Sequence, residues 1–170
     1  MSAPSFLSRV AGTIAAAAVV SACSLLSPSP TPVFGGVPAD FQIRLERGPC
    51  FGACPVYLLT VFADGTVGYE GRRFVAVEGS QAATLTPDEV EALVVAVLEA
   101  DFFGLADEYT VQATDLPSIT LTVTMDGRTK GVYHYGVGCG TELDTAPPGL
   151  CVVESLLEQI PVDNGWVSPM

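Results

Sequence analysis

The chain has 170 residues, enough for one domain with a full core and too few for two. Its 19 Asp+Glu stand against 7 Lys+Arg, a formal charge of −12, and no basic run offers to neutralise a phosphate backbone, which excludes nucleic-acid binding. Charged residues make up 15% and apolar ones 49%, a composition that buries a core and argues against a disordered chain.

Residues 1–22 read as an export signal: Arg9 is the only charge, Val10 to Val20 are apolar, and the small residues Ser21 and Ala22 follow. The apolar run is too short to cross a bilayer, which takes ~20 residues. Val20-Ser21-Ala22-Cys23 resembles the lipobox of bacterial lipoproteins. That resemblance implies acylation of Cys23, cleavage before it, and a protein tethered to the outer face of a membrane through its N-terminal lipid. Ser24, where an Asp would signal inner-membrane retention, implies the outer membrane in a cell that has one. Residues 23–39 carry prolines at 28, 30, 32 and 38 and the pair Gly35-Gly36, and read as a semi-extended spacer.

From Asp40 on, a single α+β domain is expected over residues 40–170. Ile43 and Leu45 alternate with Gln42, Arg44 and Glu46, the pattern of a strand with one wet face. Pro55 to Ala63 is apolar on both faces and reads as a central strand. Asp64-Gly65 predicts a hairpin, with both residues able to take positive φ, and a partner strand from Thr66 to about Val77. Thr86-Pro87-Asp88-Glu89 is a capping box with proline in the first turn, followed by Val90, Leu93, Val94, Val97 and Leu98 at helical spacing. The acids at its start complement the helix dipole. Ile119 to Met125, Asp126-Gly127 and Arg128 to Tyr135 repeat the hairpin. A second helix is predicted from about Leu150 to Ile160, stopping at Pro161, with Leu150, Val153, Leu156, Leu157 and Ile160 as its buried stripe. The expected architecture is a mostly antiparallel sheet of about five strands with two helices on one face. Val94, Leu98, Leu59, Val61, Leu121 and Leu156 are expected to meet in its core.

With Cys23 assigned to lipid, Cys50, Cys54, Cys139 and Cys151 remain, an even number that reads as two disulfides in an oxidising compartment. Three connectivities exist, and the short spacings favour Cys50 with Cys54 and Cys139 with Cys151. The rival reading is a metal site built from His134, Cys139, Cys50 and Cys54; the compartment disfavours it, and no metal or cofactor is assigned. His134, the only histidine, lies among strand residues and reads as packed or edge-exposed. Glu70, Asp107, Glu108 and Asp115 form the pool from which a carboxylate enzyme would draw, and Arg72-Arg73 reads as a solvated strand edge. No catalytic residue is assigned. Phe51, between two cysteines and two prolines, either folds onto the sheet or points outward as an anchor for a partner; the inward placement is expected, since an exposed phenylalanine without a partner is unfavourable.

Arg47-Gly48-Pro49-Cys50-Phe51-Gly52-Ala53-Cys54-Pro55-Val56-Tyr57, Asp64-Gly65-Thr66-Val67, Tyr69-Glu70-Gly71, Phe102-Phe103-Gly104-Leu105, Tyr109 and Thr114-Asp115-Leu116-Pro117 together resemble a bacterial domain of unknown function found in exported lipoproteins. The resemblance spans roughly residues 40 to 165 and implies no established activity. The reading it leaves is a lipid-anchored binding or structural module whose partner is an envelope protein or a small ligand. A small carboxylate enzyme and a His/Cys metal-binding protein are the alternatives.

Overall fold

The computed structural model describes residues 35–136, 138–142 and 144–168. The expected export signal, Cys23 and most of the spacer lie outside the described residues. Ten elements follow in order: β1 (Gln42–Arg47), β2 (Val56–Phe62), β3 (Thr66–Arg73), β4 (Gly79–Thr84), α1 (Pro87–Glu99), a 3-10 turn (Phe102–Gly104), β5 (Glu108–Thr110), β6 (Ser118–Met125), β7 (Arg128–Tyr135) and α2 (Pro148–Asp163).

The strands form one seven-stranded sheet in the order β4-β3-β2-β1-β6-β7-β5, antiparallel except for the β5–β7 pair. Seven strands replace the expected five. β4 was invisible to an apolar-alternation argument because its residues, Gly-Ser-Gln-Ala-Ala-Thr, are small or polar and mostly exposed. The strand expected to run on to Val77 instead ends at Arg73, turns through Phe74 at φ 54°, and returns as β4. β5 is only three residues long, below what a period can reveal. β4 covers β3 only as far as Gly71, opposite Gly79, so Arg72 and Arg73 run past it and are exposed, as the solvated-edge reading expects.

The two hairpins close differently. Asp126 and Gly127 both have positive φ, 52° and 70°, the two-residue turn that matches strand twist. At the first hairpin only Gly65 does, at 84°, and Gly65 N–H donates to Phe62 O at 3.0 Å, so Ala63, Asp64 and Gly65 make a three-residue loop.

Ile43, Leu45, Leu59, Val61, Val67, Leu121, Val123 and Val132 project from one sheet face into the core, which also takes Val90, Leu93, Val94 and Val97 of α1 and Leu150, Val153, Leu157 and Ile160 of α2. α1 carries its capping box: Glu89 N–H donates to Thr86 Oγ1, and Thr86 N–H to Glu89 Oε2. Two expected core residues are not in the core. Leu98 and Leu156 are exposed because, at ~100° per residue, they stand about a quarter-turn from the centre of each buried stripe. α2 also runs through Pro161 to Asp163. Pro161 is buried in the last turn of the helix, and Trp166 and Val167 fold back to donate their N–H groups to its carbonyl at 2.8 and 3.2 Å, which satisfies one of the acceptors that a helix C-terminus leaves open.

Candidate functional site

The sheet has two unlike ends. At one, β1 begins and the Asp-Gly hairpins turn; Asp40 closes it by accepting the N–H groups of Asp126 and Gly127 at 3.0 and 2.7 Å. At the other, β1, β3 and β7 end while β2 and β6 begin, and both disulfides and all the unusual side chains lie in the loops there or in the last sheet row.

Register builds that row. Tyr57 pairs with Arg47, Arg47 with Ile119, Ile119 with His134 and His134 with Tyr109, so five consecutive strands place these residues side by side on the face that carries the core. Where the next row is Leu59, Leu45, Leu121 and Val132, this one brings an arginine and a histidine under cover. Arg47 falls on the same alternation phase as Ile43 and Leu45, which forces it inward.

α2 supplies the opposing charges. Glu154 and Glu158 are spaced i,i+4 and share one helix face. Glu158 pairs with Arg47. Glu154, 2% exposed, lies with both carboxylate oxygens 3.0 Å from His134 Nδ1. On the far edge of the ring, His134 Nε2 is 3.3 Å from Asp144 Oδ1. Asp144 is held in turn by the N–H groups of Gly140 and Ala146 at 2.9 and 2.8 Å. Both ring nitrogens thus face carboxylates, an arrangement that an imidazolium satisfies with two N–H donors. The hydrogen bond to Glu154 holds the His134 pKa above its ordinary value against the opposing effect of burial. Burial pulls the Arg47 pKa down, while the same burial pushes Tyr57 up to about 12. With both nitrogens engaged, His134 is not placed to activate a nucleophile.

Cys139 and Cys151 are bonded beside this cluster, Cα atoms 5.5 Å apart, and tie the loop after β7 to the first turn of α2. Cys139 Sγ lies 3.3 Å from Glu154 Oε2 and Cys151 Sγ 3.5 Å from Asp144 Oδ2. The four-residue metal set of His134, Cys139, Cys50 and Cys54 is not assembled: Cys50 and Cys54 are bonded to each other, and the groups near His134 are Glu154, Asp144 and Cys139.

The Cys50–Cys54 bond, with Cα atoms 5.7 Å apart, closes the loop between β1 and β2. Gly48 N–H donates to Ser118 O at 2.8 Å and Phe51 N–H to Asp115 O at 3.0 Å, bracing the loop against the segment before β6. Gly52 has φ 144°, a conformation that other residues rarely take. The expectation for Phe51 is corrected: its side chain is 86% exposed. The disulfide and the two backbone bonds hold its main chain outward, and the small ring encloses no room for it. Phe74, 53% exposed, follows Arg73 at the end of β3, with the Arg73 guanidinium 5.5 Å over its ring.

The four carboxylates considered for an enzyme, Glu70, Asp107, Glu108 and Asp115, are all exposed, and three are locally engaged: Glu70 with Arg72, Asp107 with Lys130, Asp115 with Thr114. Sequence reasoning missed Glu154, Glu158, Asp144 and Arg47. Two of them were signalled, Arg47 by its phase on β1 and Glu154 by its place four residues after Leu150 on the apolar stripe.

A family model described as a domain of unknown function, DUF6438, matches residues 41–160, well over half of the chain. The chain belongs to this family. The match starts at the buried Phe41 and ends at Ile160, and so takes in the whole sheet, both disulfides and the Arg47–His134 row. No curated protein matches the chain.

Proposed function

We propose that this DUF6438 protein is a lipid-anchored module of the cell envelope, acylated at Cys23 and standing in the outer membrane where the cell has one, whose domain docks an envelope protein through the Cys50–Cys54 loop. The observation that carries the docking reading is Phe51, an almost fully exposed aromatic on a loop braced by a disulfide and two backbone hydrogen bonds. A pre-ordered aromatic loses little conformational freedom on binding, which is what interface anchors require. The described chain enters β1 at the end of the sheet opposite Phe51. Charge selects the partner's chemistry. The chain carries a net charge of −12 and Asp115 is exposed beside Phe51, which fits an apolar socket rimmed by Lys or Arg.

The anchoring half is tested by Cys23→Ala, which should release the chain from the membrane fraction and abolish labelling by a fatty-acid analogue; continued labelling refutes it. The docking half is tested by native size. Extracted in mild detergent, the wild-type chain should migrate as a complex larger than the free chain, and Phe51→Ala should migrate as the free chain with an unchanged melting temperature. Equal migration of the two refutes docking through Phe51.

A further inference from the structure

Two buried carboxylates stand at contact distance from the sulfurs of one disulfide, an arrangement that the disulfide itself does not explain. Glu154 Oε2 is 3.3 Å from Cys139 Sγ and Asp144 Oδ2 is 3.5 Å from Cys151 Sγ. A bonded sulfur has no proton to donate to a carboxylate. A thiol does, and a cation shared between thiolate and carboxylate satisfies both.

His134, Cys139 and Glu154 offer ligand atoms that all lie within 4.8 Å of one another, as do Cys139, Asp144 and Cys151. Cys139 belongs to both groups and is bonded to Cys151, so opening that bond leaves a second sulfur next to the first group. A tetrahedral ion with bonds of ~2.0–2.3 Å sets its ligand atoms about 3.3–3.8 Å apart, and the separations of 3.0 Å from His134 Nδ1 to Glu154 and 3.3 Å from Glu154 to Cys139 Sγ lie close to that range. The imidazole is also oriented as metal-bound histidines are. With Nδ1 toward Glu154, Nε2 is left to donate to Asp144 at 3.3 Å, and an outer carboxylate of that kind fixes the tautomer and strengthens the ligand. His134 and Glu154 are 3% and 2% exposed, so the ion would sit out of bulk water.

We propose that reduction of the Cys139–Cys151 disulfide turns this cluster into a site for a divalent transition-metal ion of the zinc class, held by His134 Nδ1, Glu154, Cys139 and Cys151, with Asp144 orienting the ring. The redox step balances with a dithiol reductant: the S–S bond takes two electrons and two protons, giving two thiols, while the dithiol closes to its own disulfide. Metal binding then displaces the two thiol protons to solvent. The site is distinct from the Phe51 loop, and its failure leaves the docking reading untouched.

The test uses the full-length chain in detergent carrying Cys50→Ser and Cys54→Ser, so that the second disulfide contributes no thiols. Reduced with a phosphine under anaerobic conditions and titrated with Co2+, it should bind one ion per chain with a thiolate-to-cobalt charge-transfer band, and the oxidised chain should show none. His134→Gln and Glu154→Gln should each weaken binding by more than about tenfold while keeping the circular dichroism of the parent. A readout that needs no further variant is alkylation: Zn2+ should slow modification of both Cys139 and Cys151 in the reduced chain. Absence of the band from the reduced, folded chain, undiminished affinity in both variants, or alkylation rates indifferent to Zn2+ each overturn the proposal.

Discussion

Glu154 and Glu158 stand one turn apart on α2 and take the two buried basic side chains of a single sheet row, His134 and Arg47. A polar layer thus closes one end of an otherwise apolar interface between the sheet and α2. Burying ions is costly, and their mutual attraction offsets that cost only while both partners are present.

The Arg47–Glu158 pair should behave accordingly in urea unfolding. Glu158→Ala should destabilise toward the lower end of the ~3–5 kcal/mol seen for broken buried pairs, because Glu158 retains partial solvent contact. Replacing both residues with apolar ones, Arg47→Met with Glu158→Leu, should cost less than the sum of the two single changes. A double variant whose loss equals that sum would mean that the two side chains are not coupled.

Leu157→Ala removes a side chain with no exposed surface and should cost ~2–5 kcal/mol as a cavity substitution. Leu98→Ala, on the rim of α1, should cost closer to the ~0.5 kcal/mol of a surface change. Comparable losses at the two sites, measured by chemical denaturation, would contradict the placement of the helix stripes.

Asp40 gives a pH prediction. The N–H groups of Gly127 and Asp126 stabilise its carboxylate and lower its pKa from the usual 3.8. A carboxyl with a depressed folded-state pKa adds stability that is fully present above its unfolded value and is lost as pH falls through the folded one. The wild-type chain should therefore be more stable than Asp40→Asn at neutral pH, and the gap should close as pH falls below 3.8. A gap that is constant across acid titration would show that the ionised form is not the one recruited.

Much of the fold was legible because the signals were local. The capping box at Thr86, the alternation of Ile119 to Met125 and the Asp126-Gly127 turn each fix their own residues without help from the rest of the chain. β4 and β5 were not legible, since Gly79–Thr84 is recruited as a strand by the exposed backbone of β3 and Glu108–Thr110 by that of β7, and neither carries an apolar pattern. The Arg47–His134 row lay beyond reach for another reason: it exists only once five strands are in register and α2 is laid across them. Phe51 ran against a sound rule. Apolar side chains seek burial, but a short disulfide loop held by Ser118 and Asp115 leaves this one nowhere to go except outward.

The central claim, that Phe51 anchors a partner, is tested most directly by contact in the living cell. A photoreactive phenylalanine analogue placed at position 51 should, on illumination, give one discrete adduct with an envelope protein, while the same analogue at Phe62, an exposed aromatic at the hairpin end of the sheet, should give none. No adduct from position 51, or the same adduct from both positions, would contradict it.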